Sequence, residues 1–198
     1  MSRTTCNRLV AYGVPLVLLL AVAYLGPVSR DLDVVELFSG GGALHKSCRE
    51  AGLDAQGFEV LSNPDDDLST TAGFLRGIRL ILRLRINGLV WSGQPCSSWV
   101  FLSRSVSQRT ATSPSGDDSN PWVRTHNVLA SRCALLFLLA MARSATWCCE
   151  QPASSLLDRY HRMQQIRHLC SCWFKMQAGV QSIIFHGPVC ERSPMHFI

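Results

Sequence analysis

Cys96 follows Pro95 in the stretch SGQPCSSW. A thiol on a proline-stiffened turn is placed to act as a nucleophile when a neighbour lowers its pKa, and Arg104 or Arg109 in the following segment could supply that positive surrounding. Glu150, in WCCEQP, could bind or protonate a ring nitrogen of a substrate if its surroundings keep a proton on it. Gly40, Gly41 and Gly42 close the run ELFSGGG, where backbone without side chains can approach a ligand ahead of a helix start with free N–H groups. Glu59 ends the next apolar run and could accept hydrogen bonds from a ribose. Each feature has a plainer alternative: the glycines as a tight turn, Cys96 as a buried thiol, and Glu150 as the cap of a helix after Pro152.

What must position these residues is an alternation of strand-like and helix-like pieces from Asp33 onward, which predicts an α/β layered sheet. Strands are expected at Val34–Phe38, Ala55–Val60, Gly88–Ser92 and Thr146–Cys149. Helices are expected at Ala43–Ala51, Thr70–Ile86, Val128–Arg143 and Tyr160–Gln177. Asn63 to Asp67 reads as a turn, and Arg76, Arg79 and Arg83 as the solvated face of the second helix. Ser103 to Asn120, where eight of eighteen residues are Ser or Thr, reads as a long surface loop. Glycines, Pro-Cys and Glu-Gln-Pro then fall at three strand ends. In a parallel sheet, ligands bind outside the carboxyl ends of strands, so the three predict one shared site.

The order of these motifs resembles that of the cytosine-5 DNA methyltransferases. The stretch ELFSGGGALHKSCREAGLDAQGFEV is similar to their cofactor-binding opening, SGQPCSSWVFLSR to their Pro-Cys nucleophile loop, and WCCEQP to their Glu-Asn-Val motif. The resemblance runs from about Asp33 to Gln177. It implies a Rossmann-like methyltransferase sheet with flanking helices that binds S-adenosyl-L-methionine. By that likeness Phe38, Ser39, Gly40, Gly42 and Pro95 would form the cofactor pocket, and Glu59 would take the ribose. Cys96 would attack the sixth carbon of a cytosine, Glu150 would engage the third ring nitrogen, and the base would be flipped out of DNA. The chain departs from the family pattern at Ala43, at Gln94 and at Gln151-Pro152, and carries no recognisable target-recognition region or closing cofactor motif after Lys175.

Composition narrows the classes. An apolar share of 47% with 17% charged residues excludes a disordered chain. The net charge of +5 owes three of its basic residues to Arg3, Arg8 and Arg30, leaving 16 basic against 14 acidic residues beyond position 30. Bulk charge therefore gives little support for a nucleic-acid partner. Nine cysteines occur without a Cys-x-x-Cys pair and mostly inside apolar runs. Buried free thiols fit this better than a disulfide framework or a zinc site, for which His168, Cys170 and Cys172 are the best local set.

Leu9 to Val28 contains no charged residue over twenty positions and follows Arg3 and Arg8, in the manner of a signal anchor or cleaved leader. The expected organisation is thus an N-terminal hydrophobic helix within 1–30, a methyltransferase-like domain at 31–177 and a divergent tail at 178–198. Membrane association or the secretory route is the expected location, with organelle import and a buried helix of the domain as alternatives. Two functional readings stay open. One is a divergent S-adenosylmethionine-binding methyltransferase, acting on cytosine in DNA through Cys96. The other is a catalytically inactive, anchored or truncated remnant, serving as an interaction module or without function.

Overall fold

The computed structural model describes residues 28–170, 173–176 and 182–186. Strand β1 (Leu32–Leu37) buries Leu32, Val34, Val35 and Leu37, so both of its faces are covered, as the inner strand of a parallel sheet requires. Helix α1 (Ala43–Glu50) leads to β2 (Ala55–Phe58), which pairs in parallel with β1, Val34 opposite Ala55. Helix α2 (Thr71–Arg83) starts where the Thr70 side chain accepts the Gly73 N–H at 3.0 Å, and it buries Ile78, Leu80, Ile81 and Leu82. Strand β3 (Leu84–Ser92) then pairs in parallel with the other edge of β1. A short helix α3 (Arg104–Ser107) lies in the long connection to α4 (Pro121–Ala142). Strand β4 (Thr146–Pro152) pairs in parallel with β3 and is followed by α5 (His161–Cys170), β5 (Trp173–Met176) and β6 (Ser182–His186).

The sheet order is β2-β1-β3-β4-β6-β5, with β6 antiparallel to both of its neighbours. The fold is α/β with four parallel strands and flanking helices, compatible with a Rossmann-like arrangement. From β1 the chain first moves outward to β2, then crosses back to β3 and on to β4. Right-handed crossovers therefore set α1 on one face of the sheet and α2 with α4 on the other. The reversal falls between β1 and β3, and this is the topological switch point.

Helix α4 is the core of that second layer. By length and composition it is apolar enough to cross a membrane, yet 67% of its most apolar window is buried within the fold. Phe137 stacks on Trp147 of β4 with ring centroids 4.5 Å apart, and truncating either ring costs about 3–5 kcal/mol in a core of this kind.

Three helix ends differ from the sequence expectation by more than two residues. The second helix stops at Arg83 instead of Ile86, because Leu84 already pairs with Leu32 in the sheet. Helix α4 begins at Pro121 instead of Val128, where the Asn120 side chain accepts the Trp122 N–H at 3.0 Å. The final helix ends at Cys170, and residues 173–176 are strand. Strand β6 lies beyond residue 177, where the divergent tail was drawn, and its backbone pairs with β4. The hydrophobic segment Leu9–Val28 lies outside the described residues except for Val28, and so does the side-chain arrangement of Cys170 and Cys172.

Candidate functional site

At the carboxyl end of β1 the chain turns through left-handed backbone at Phe38 (φ 55°), Gly40 (φ 51°) and Gly42 (φ 73°). A phenylalanine rarely adopts that conformation, and such strain, of order 1–3 kcal/mol, collects at ligand-binding turns. The Phe38 N–H donates to the Phe58 carbonyl at 2.9 Å, and the Gly93 N–H donates to the Leu37 carbonyl at 3.1 Å. The ends of β1, β2 and β3 are therefore fastened together at the switch point.

The three glycines are not equivalent. A side-chain carbon on Gly40 or Gly41 would meet nothing within 4 Å, so the loop has an open side there. On Gly42 it would lie 2.3 Å from the His45 ring, and on Gly57 2.6 Å from the same ring. Gly42 thus makes room for a side chain of the protein itself. His45 in turn is held by Glu36, whose carboxylate accepts the His45 N–H at 2.9 Å and meets Nδ1 at 2.6 Å. Glu36 caps the start of α1 from inside strand β1, a role hidden in the sequence because strand and helix contribute one partner each.

Glu59, just past β2, accepts the Gly40 N–H at 2.8 Å through one carboxylate oxygen and the Leu61 N–H at 3.1 Å through the other. It sits against the glycine loop, as its position after the second strand predicted. A carboxylate offers about four acceptor directions, so two remain for hydroxyl donors.

The Pro95–Cys96 turn follows β3, and Glu150 lies in β4 rather than after it. The segment past Pro152 is a turn rather than a helix start, which removes the capping alternative for Glu150. Glu150 is exposed while its neighbour Gln151 is 1% exposed. The Gln151 Nε2–H donates to the Gln94 carbonyl at 2.7 Å, and Gln151 Oε1 accepts the Ser155 hydroxyl at 2.9 Å. This amide ties the strand of Glu150 to the turn of Cys96. Gln94 is itself buried, and neither its amide oxygen nor its amide nitrogen has a partner among the described residues.

Cys96 is partly exposed. Burial pushes the thiols of Cys133 and Cys148 up to about 12 and that of Cys149 well above its ordinary value, so these three are packing residues. Cys48 is also raised, by burial first and by the Glu36 carboxylate second. The positive groups expected near Cys96 do other work. The Arg104 guanidinium lies over Phe101, 5.0 Å from its ring centre. Arg109 is 1% exposed and donates to the carbonyls of Ser98 and Pro114 and to Asn127 Oδ1, lying 3.5 Å from the Trp99 ring centre. Burial, opposed by Tyr160 and by the Asp118 carboxylate, lowers the Arg109 pKa to about 10. Arg109 is the pin that orders the Ser-rich connection.

No protein-family profile matches the chain, and no curated protein matches it. The site therefore rests on its own geometry.

One pairing was invisible to motif reasoning. Ser97 Oγ lies 3.0 Å from His126 Nε2, and His126 Nδ1 lies 2.8 Å from the Trp122 carbonyl. No local spacing links residues 97 and 126; only the crossing of the Pro95 turn over the start of α4 brings them together.

Two cavities lie elsewhere. One of about 270 Å³ is lined by Gln56, Asp66, Arg76, Arg79 and Arg83 at the β2 edge. There Arg76 pairs with Asp66 at 2.8 Å and Arg83 with Asp31 at 2.7 Å. The other, about 560 Å³, is an open groove along α4 beside Tyr160 and His161.

Proposed function

We propose that the chain is a divergent S-adenosylmethionine-binding domain of the methyltransferase type, with Cys96 and Glu150 facing a planar substrate ring at the switch point. The observation that carries this reading is the juxtaposition at one sheet edge. A glycine loop open above Gly40 and Gly41, an acid at the end of β2 and a Pro-Cys turn after β3 are joined by hydrogen bonds from the backbone to the Glu59 carboxylate and between strand ends. The strand order is compatible with the Rossmann-like sheet that this reading requires.

The residues fit the cofactor in three respects. Backbone at Phe38, Ser39, Gly40 and Gly41 offers close approach, Glu59 keeps acceptor capacity for ribose hydroxyls, and Pro95 borders the same edge. Gly42 contributes by seating His45 and so shaping the loop. Bound there, the cofactor would supply an electrophilic methyl group. Cys96 would add through sulfur to the sixth carbon of a cytosine, and Glu150 would hold the third ring nitrogen. Gln94, with its buried amide unpartnered, supplies a donor and an acceptor beside that ring. DNA is the substrate that the motif resemblance implies, and residues 9–28 are assigned as the membrane-directing segment on length and apolarity.

Thermal-shift and calorimetric titration of the full chain, solubilised in mild detergent, test the cofactor. S-adenosylmethionine or its demethylated product at roughly millimolar concentration should raise the melting temperature. Gly41→Leu should abolish the shift without lowering the melting temperature of the free protein, because its side chain enters open space. An unresponsive wild type sinks the reading. Fusion of residues 1–30 to a soluble reporter tests the membrane assignment, which a wholly soluble reporter would overturn.

A further inference from the structure

The pair formed by Ser97 and His126 has the three parts of an activated nucleophile. Ser97 is exposed, and its Oγ lies 3.0 Å from His126 Nε2, within the reach of a nucleophile and its base. His126 is 7% exposed and sits behind the hydroxyl. Its Nδ1 is 2.8 Å from the Trp122 carbonyl, which can only accept, so Nδ1 carries the proton and a neutral ring presents a lone pair at Nε2. Burial, opposed by the Trp122 hydrogen bond and reinforced by the Arg109 charge, lowers the His126 pKa and favours that neutral form. Trp122 also meets the ring edge-on at 5.1 Å, fixing its plane.

The turn that carries Ser97 is rigid. The Trp99 N–H donates to the Cys96 carbonyl at 2.8 Å, and Arg109 grips Ser98 at its carbonyl (2.9 Å) and its hydroxyl (3.1 Å). Trp99 is fully buried beneath the guanidinium. Among the described residues no acceptor meets the backbone N–H of Ser97 or Ser98. The turn that carries the hydroxyl thus keeps two amide donors without a partner among the described residues, the kind of group that stabilises an oxyanion.

We propose that Ser97 and His126 form an acyl-accepting serine with its general base, serving substrates that carry an activated ester or thioester. Ser97 Oγ adds to the carbonyl carbon while its proton passes to His126 Nε2. The bond to the leaving oxygen or sulfur breaks, and the leaving group takes that proton. Water, deprotonated by the same nitrogen, then cleaves the acyl-serine to a carboxylic acid and restores the hydroxyl. The third group is a neutral carbonyl instead of a carboxylate, so it stabilises the imidazolium less, and slow turnover with readily detected acylation is expected. This site does not depend on the cofactor reading.

The test is labelling of the full chain by a fluorophosphonate, read by peptide mass spectrometry. Attack by Ser97 forms an O–P bond, breaks the P–F bond, and releases fluoride with the serine proton. Native protein should carry the adduct on Ser97, with labelling at least about a hundredfold faster than in denaturing urea, as general-base assistance implies. His126→Gln should slow it by a similar factor. Should His126→Gln fail to fold, the native-to-urea ratio at Ser97 decides alone. Labelling of Ser97 no faster in native than in unfolded chain overturns the proposal, as does a folded His126→Gln that labels like wild type.

Discussion

The Gln151 side chain and the Gln94 carbonyl, 2.7 Å apart, join the strand that holds Glu150 to the turn that holds Cys96. Glu150 points to the surface and Gln151 inward, so one strand position offers a side chain to a ligand while the next fixes the opposing loop. Gln151→Leu should cost about 2–3 kcal/mol, since it strands a buried carbonyl and the Ser155 hydroxyl. Urea unfolding followed by circular dichroism checks this.

Gln94 predicts the opposite sign. Its buried amide has no partner among the described residues, while its backbone carbonyl is the group that Gln151 uses. Gln94→Met removes the unpaired polar atoms and keeps the backbone bond, so it should stabilise the free protein by about 1 kcal/mol. A fall in the urea midpoint would mean that the amide has partners the structure does not reveal.

Gly42→Ala and Gly57→Ala should both destabilise, by about 2–4 kcal/mol, because the new carbon drives into the His45 ring and separates it from Glu36. Gly41→Ala should be nearly neutral to folding. Equal melting temperatures for all three would refute the seat assigned to His45.

Thiol alkylation of the native chain should separate the described cysteines. Cys96 should react first, whereas Cys133, Cys148 and Cys149 should react only on unfolding, their thiols being buried and held protonated. Cys96→Ser should retain the fold and any cofactor-induced thermal shift, and should abolish covalent capture of DNA that carries a mechanism-based cytosine analogue.

Stability should also fall on the acidic side of neutrality. His126 is lowered from its ordinary 6.5 mainly by burial, so the unfolded chain takes up a proton there before the folded one does. The contribution is intact above about pH 6.5 and is lost as the pH drops through the folded value. His161 is lowered in the same direction, by burial and then by Arg162, so His126→Gln should remove only part of the slope. Unfolding free energies measured between about pH 5 and 8 decide it.

The first third of the described fold was legible because its signals are local. An apolar run, a glycine turn and a polar-faced helix lie in sequence between Val34 and Glu59, and each appears where it was expected. Where boundaries slipped, a distant partner had overruled local spacing. The helical spacing of Leu75, Ile78, Leu82 and Ile86 continues a helix on paper, yet Leu84 is claimed by the sheet. The candidate site was legible at Glu59 and at the Pro95 turn for the same local reason. Glu36–His45, Arg109 and Ser97–His126 were not, since each depends on where one element crosses another.

Strand β6 reaches its place out of turn. During synthesis β4 and β5 leave the ribosome first, and the strand destined to lie between them follows. Until then the outer edge of β4, with Cys148 to Pro152, is a bare row of amides and carbonyls. A nascent chain halted near residue 177 would expose that edge, and its nearest complement would be the same edge of another stalled copy. The pairing of β4 is thus completed only by the last strand of the described fold, which leaves a sheet edge open longest at the strand that carries Glu150.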